Sequence, residues 1–222
     1  MGWELQMAGE RDIAEGTIAA TLPRKPRAAD RVSETANRLF YQRGIRAVGV
    51  DEIVAQAGVT KPSLYRSFPS KDDLIVSCLR ARFDDIMAWW DAIEARLPGD
   101  PLAQLRGLIA AIADETEEEH YRGCAATNAA VEFPEIAHPA RLISMEFKVV
   151  IRDRLLALVS RLPADRPALL TDTLILLFEG ARSIRHTSGT NGPCRSLAAA
   201  ADAVLAAFLP ADTLHNPSGD LN

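Results

Sequence analysis

From Val50 to Leu74 the sequence VDEIVAQAGVTKPSLYRSFPSKDDL leaves the chain few choices. Val50, Ile53, Val54 and Ala57 recur at helical spacing and give a first short helix one apolar face. Gly58 follows where the backbone must turn sharply, and glycine takes a positive φ there without strain. Thr60 is placed to cap a second helix through its hydroxyl, and Pro62 fits the first turn, where no N–H is needed. Leu64 and Phe68, four apart, anchor that helix to the one before it. Its remaining face is Lys61, Ser63, Tyr65, Arg66 and Ser67. A short helix held by a few apolar anchors and presenting donors outward has what a reader of the DNA major groove needs.

The charge distribution points the same way once it is divided. The 222 residues carry a formal net charge of -5, which by itself does not suit a nucleic-acid binder. Between Arg24 and Lys71, however, ten Lys or Arg stand against four Asp or Glu, a net of +6, and the remainder carries −11. A basic third joined to an acidic remainder predicts one part that faces DNA and one that faces away. Every apolar run is broken by a charged residue before the ~20 needed to cross a bilayer. The N-terminus has no secretory pattern, because Glu4, Glu10, Arg11, Asp12 and Glu15 interrupt it. Cys78, Cys124 and Cys194 are widely spaced and suggest neither a disulfide framework nor a zinc site. A cytoplasmic protein without membrane segment, metal or cofactor is expected.

The rest of the chain reads as all-α: a three-helix head joined by a long helix to a larger bundle, about nine helices in all. Residues 1–26 read as a flexible leader, and Arg24 and Lys25 with the adjoining Arg27 could act as a minor-groove arm or simply as a solubilising tail. A helix from about Asp30 to Arg43 buries Val32, Ala36, Leu39 and Phe40 and ends at Gly44. Ser70 can cap a long helix to about Arg96, with the stripe Ile75, Leu79, Phe83, Ile86, Trp90, Ile93 and Leu97. Further helices run over Leu102–His120, Cys124–Phe133, Pro139–Leu162, Ala168–His186 and Arg195–Phe208. The head is placed at 27–73, the bundle at 74–210 and a frayed tail at 211–222. The acidic run from Asp114 to Glu119 reads as a solvated face.

The head resembles the tetracycline-repressor (TetR) family of bacterial transcription regulators. The matching residues are Phe40 before Gly44, Ile53 to Ala57-Gly58-Val59, Leu64-Tyr65, and Phe68 followed by Ser70-Lys71 and Leu74, over roughly residues 28 to 75. The resemblance implies that Thr60, Lys61, Pro62, Ser63, Tyr65 and Arg66 belong to the recognition helix. Tyr65 and Lys71 would contact phosphates, and Lys61, Ser63 and Arg66 would lie nearest the base edges. Val50 stands where the family often has a hydroxyl, so that phosphate contact would be missing or supplied by the Gly49 N–H.

Two-fold operators demand two-fold proteins, so a palindromic double-stranded DNA operator and a homodimer are expected. The dimer is placed on the last two helices, because Ala168–His186 is too apolar for one neighbour to cover; the alternative is that it forms the centre of the monomer's bundle. A small-molecule ligand, of unknown identity, is expected in the bundle. The candidate lining is Phe83, Met87, Trp90, Ile109, Ile112, Thr116, Asn128, Phe147 and Phe178, each of which could equally be core. Adjacent Trp89 and Trp90 cannot both face one core, and Glu132 would be either exposed or paired with Arg182. No nucleophile elbow, phosphate-binding glycine loop or HExxH supports an enzyme. An architectural or protein-partner-responsive DNA binder is the competing reading to a ligand-released repressor.

Overall fold

The computed structural model describes residues 27–215, which form ten α-helices and one 3-10 turn, with no strand among the described residues. The expected leader, with Arg24 and Lys25, lies outside them, as do residues 216–222 of the expected tail. Helix α1 (Ala28–Arg43) starts at Arg27, whose N–H is accepted by the Asp30 carboxylate at 3.0 Å. It buries Val32, Ala36, Leu39 and Phe40, the predicted stripe. Helices α2 (Val50–Ala57) and α3 (Lys61–Ser67) pack against it through Ile53, Ala57 and Leu64. Between them Gly58 sits at φ 61, ψ 42, the left-handed conformation that the tight turn requires.

Helix α4 (Lys71–Arg96) begins at Ser70, whose hydroxyl accepts from Asp73 N–H at 3.0 Å. Its 26 residues rise roughly 39 Å. One length therefore serves both the head and the body. At its far end buried Gln104 staples the turn into α5 (Pro101–Glu117). Its amide donates to the Leu97 carbonyl at 2.8 Å and accepts from Arg161 at 2.9 Å. Then follow α6 (Ala125–Glu132), α7 (Pro139–Val159), α8 (Pro167–Ser188), the 3-10 turn Pro193–Ser196, α9 (Leu197–Phe208) and α10 (Ala211–His215). The short α10 occupies part of the stretch expected to be frayed.

The apolar interior falls into two clusters that do not follow the expected boundary at residue 73. The first joins the head to the start of α4 and continues into Ala126, Ala129, Phe133, Ala140, Ile143 and Phe147 of the α6–α7 region. The second is built from α4's far half, α5, α7, α8 and α9. The acidic end of α5 is not simply a solvated face. Arg185 of α8 donates to the Thr116 and Glu118 carbonyls at 2.8 and 3.2 Å, and Arg182 pairs with Glu115 at 3.3 Å. Arg185 thereby satisfies terminal carbonyls that the acidic side chains could not.

Candidate nucleic-acid interface and internal cavity

Helix α3 is held from beneath and left open above. Thr60 Oγ1 accepts from Ser63 N–H at 3.4 Å, Leu64 is fully buried, and Phe68 is half-buried. Lys61, Tyr65, Arg66 and Ser67 are exposed, with Pro62 in the first turn. Arg66 has no hydrogen-bond or ion-pair partner among the described residues, and neither does the Tyr65 hydroxyl. Lys61 is less free, because its ammonium lies 2.7 Å from Asp51 of α2, a hydrogen bond that raises its pKa. Ser63 is half-buried and its oxygen accepts from the Thr60 hydroxyl at 3.1 Å, so it belongs to the cap before any base edge. Lys71 turns inward: its Nζ donates to the Ile45 carbonyl at 2.9 Å and lies 5.9 Å from the Phe40 ring centroid. Burial pushes its pKa down against the opposing pull of Asp72 and Glu132.

The head is keyed to the body by hydrogen bonds that end on main chain. The Glu132 carboxylate at the end of α6 accepts from Ile45 N–H at 3.0 Å and Arg46 N–H at 2.8 Å. Arg46 returns a bond to the Glu132 carbonyl at 3.1 Å. Gly44, at φ 91, lets the carboxylate come this close, since a Cβ there would lie 3.3 Å from Oε1. On the other side of α1 the Tyr41 hydroxyl donates to the Gly123 carbonyl at 3.2 Å and accepts from Arg122 N–H at 3.0 Å. Glu132 is therefore neither free nor paired with Arg182, as the sequence suggested; Arg182 is engaged by Glu115 and Glu179.

A cavity of about 480 Å³ lies between α4, α5, α7 and α8. Of the expected lining residues Trp90, Ile112, Phe147 and Phe178 face it, together with Trp89. Four do not. Phe83 is buried and stacks on Phe147 with centroids 4.0 Å apart, on the side of the first core cluster. Met87 packs against that same cluster. Thr116 is fully buried and donates to the Ala113 carbonyl at 2.7 Å, closing its own helix end. Asn128 lines a separate crevice of about 830 Å³ between head and body, and donates to the Arg122 carbonyl at 2.6 Å. Ile109 is plain core of the second cluster.

What sequence reasoning missed is the charged wall. Lys148 and Arg152 of α7 and Asp172, Glu179 and Arg182 of α8 all line the cavity. Lys148 Nζ donates to Glu179 Oε1 at 2.7 Å, and Thr127 donates to Glu179 Oε2 at the same distance. Arg152 clamps Asp172 through two bonds of 2.7 and 3.2 Å. Burial works against the Glu179 anion, yet Lys148, Thr127 and Arg182 together hold its carboxyl below the usual range. The signal was present: Asp172, Glu179 and Arg182 recur at i, i+7 and i+10 on an otherwise apolar helix, which puts three charges on one inward stripe.

Apart from Tyr65 on α3, Val131 on α6 and Ile136 after it, the large exposed apolar side chains lie on α7 and α8, and none on α9. Leu142, Met145, Val149 and Val150 are exposed on α7, and Leu169, Leu176 and Ile184 on α8. In α9, Leu197 and Leu205 are buried and the exposed positions include Ala199, Ala203 and Ala207. Leu176 is 73% exposed and Val149 59%, yet both also line the cavity, whose mouth therefore opens on this face. Among the described residues no helix is long and apolar enough to cross a membrane, and no cluster of metal-ligating side chains occurs.

Comparisons with known proteins converge on one group. Residues 33–78 match the family model for bacterial regulatory proteins of the tetR family. The HTH-type transcriptional repressor KstR2 of Mycobacterium tuberculosis is 34% identical over 88 residues, which are 39% of this chain and 43% of that protein. The HTH-type transcriptional activator FasR of Mycolicibacterium smegmatis is 33% identical over 117 residues, 51% of this chain and 52% of that protein. The match thus spans about half or less of these curated relatives. A crystal structure of a TetR-family regulator from Streptomyces coelicolor superposes with a TM-score of 0.79 at 29% identity, covering 83% of this chain and 97% of that one. The head geometry, the all-helical body and these matches agree: residues 33–78 match the tetR family of bacterial regulatory proteins, and the described chain has the fold of a TetR-family regulator.

Proposed function

We propose that the chain is a homodimeric, sequence-specific DNA-binding regulator of transcription, a repressor released by a small molecule in the α4–α8 cavity. The observation that carries this reading is the outward face of α3, where the Arg66 guanidinium and the Tyr65 hydroxyl have no hydrogen-bond partner among the described residues. A guanidinium so placed can take guanine O6 and N7 together. The body supports the sensing half. Trp89 and Trp90 wall the cavity from the same helix whose first residue, Lys71, holds the head's Ile45. A ligand that prefers one arrangement of that helix would bias where the head stands.

A second copy is proposed to seat on α8. Leu169, Thr173, Leu176, Gly180 and Ile184 follow one another at spacings of four, three, four and four, an uncharged stripe suited to a facing helix. Gly180 has open space beyond it, which allows close approach. The partner would also cover the cavity mouth. A repressor is favoured by the likeness to KstR2, and FasR marks the activator as the other outcome.

Selection of bound duplexes from a random pool, followed by sequencing, tests the proposal. A palindromic motif with half-sites about one turn apart is expected. A pool without enrichment at low salt would overturn it. Deleting the gene and measuring transcription from the promoter so identified separates the two signs: a rise marks a repressor, a fall an activator.

A further inference from the structure

The α4–α8 cavity has more hydrogen-bond donors than its own acceptors can use. Three carboxylates line it, and five of their six oxygens accept a hydrogen bond. Glu179 Oε1 accepts from Lys148 and Arg182, and its Oε2 from Thr127. Both Asp172 oxygens accept from Arg152. The Glu115 oxygens face Arg182 at 3.3 Å and Arg82 at 3.9 Å. The cations are not saturated in return. Lys148 spends two of its three N–H bonds, on Glu179 and on Cys124 Sγ at 3.4 Å. The Nε–H of Arg182 is buried and has no acceptor. Arg82, Lys148, Arg152 and Arg182 outnumber the three carboxylates by one charge. The remaining wall, with Trp90, Ile112, Phe147 and Phe178, is apolar.

We propose that this cavity takes an apolar-bodied organic anion, a monocarboxylate whose head group meets Lys148 and Arg182 while its body lies against the aromatic wall. The inference rests on the reading of the cavity as the ligand site. A buried donor without an acceptor is costly, so a carboxylate beside Arg182 would give that N–H the partner it lacks. A lipophilic cation finds the reverse: five of the six carboxylate oxygens already taken, the sixth facing Arg82, and a ring of like charge. A cavity of about 480 Å³ accommodates a drug-sized molecule of either aromatic or aliphatic body. The carboxylate is the shared chemistry.

The test uses matched probes on the full-length protein. Decanoate and 1-naphthoate are titrated against decylammonium and 1-naphthylmethylammonium by isothermal calorimetry, each also scored for release of the selected duplex. Carboxylate binding at least tenfold tighter than that of the ammonium partner is expected. Whether decanoate or 1-naphthoate binds better assigns the body as aliphatic or aromatic. The double variant Lys148→Met, Glu179→Gln removes the cation without stranding the anion, and should abolish the preference while keeping a cooperative melt. Arg182→Lys, which keeps the charge but loses Nε, should weaken carboxylate binding by a smaller factor.

Equal binding of acid and amine overturns the anion inference, and duplex release by the amine would leave the ligand-sensing reading intact. Carboxylate binding without any change in DNA affinity upholds the inference and overturns ligand sensing. No binding by any of the four probes overturns both.

Discussion

Arg66 and Lys61 lie on the same exposed helix, but the fold leaves them different work. Lys61 already answers Asp51, while Arg66 has no partner among the described residues. Arg66→Ala should therefore relax preference at one base pair by roughly 1–3 kcal/mol, read by competition binding with single-base operator variants. Tyr65→Phe removes a hydroxyl with no internal partner, and should weaken binding to all sequences alike with a shallower salt dependence. Equal loss of specific and non-specific binding in Arg66→Ala would remove that residue from base readout. Glu179 gives a residue-scale prediction of another kind. Its carboxyl titrates below the ordinary 4.5 when folded, so the folded state takes up that proton less readily than the unfolded chain. The stability it contributes is complete above 4.5 and is lost as the pH falls through the lower folded value. Denaturation midpoints of the parent and of Glu179→Gln should accordingly converge on the acid side of 4.5, and a constant gap would contradict the pairing with Lys148.

Among the elements, α6 has only eight residues and yet joins head to body. Its Glu132 holds two head amides, and removing the carboxylate leaves both without that partner. Glu132→Ala should cost about 1–3 kcal/mol of stability and, in a ligand titration, weaken the link between cavity and DNA affinity more than it weakens ligand binding. Helix α8 carries the complementary prediction. Leu176→Glu places a charge on the stripe and at the cavity mouth, and should give a monomer by sedimentation with loss of operator binding; an unchanged dimer would move the interface elsewhere. Element existence was legible in the sequence because caps and periodicity are local: Ser70, Gly58 and Gly44 lie where the helices start or stop. Which way a residue faces inside a bundle was less so. Phe83 and Phe147 sit 64 positions apart, and nothing along the chain says that they stack and thereby turn Phe83 away from the cavity. Glu132 was misread for the same reason, since its partners are main-chain groups 86 and 87 residues away that no side-chain pattern reveals.

At the scale of the molecule the head is not a closed unit. Its core runs on through Leu74, Ile75, Cys78 and Leu79 of α4 into α6 and α7, so a fragment ending at residue 73 lacks much of its own interior. Such a fragment should melt well below the full chain and show little near-ultraviolet signal, whereas a fold as stable as the parent would restore the boundary that composition and charge had suggested. On the proposed function the division of charge still marks which end would face DNA, because surface electrostatics do not depend on where a core closes. The joint between the two parts has a consequence for descent. Glu132 grips the peptide N–H groups of residues 45 and 46, Lys71 a peptide carbonyl, and Tyr41 one of each. At 45 and 46 the grip excludes only proline, which has no N–H to give. The exposed side chains of α3 take no part in this grip and can be rewritten without renegotiating the connection, whereas a whole head could be exchanged only together with the core it shares with α6 and α7. On the proposed function, a change in the DNA sequence read would then leave the ligand sensed untouched.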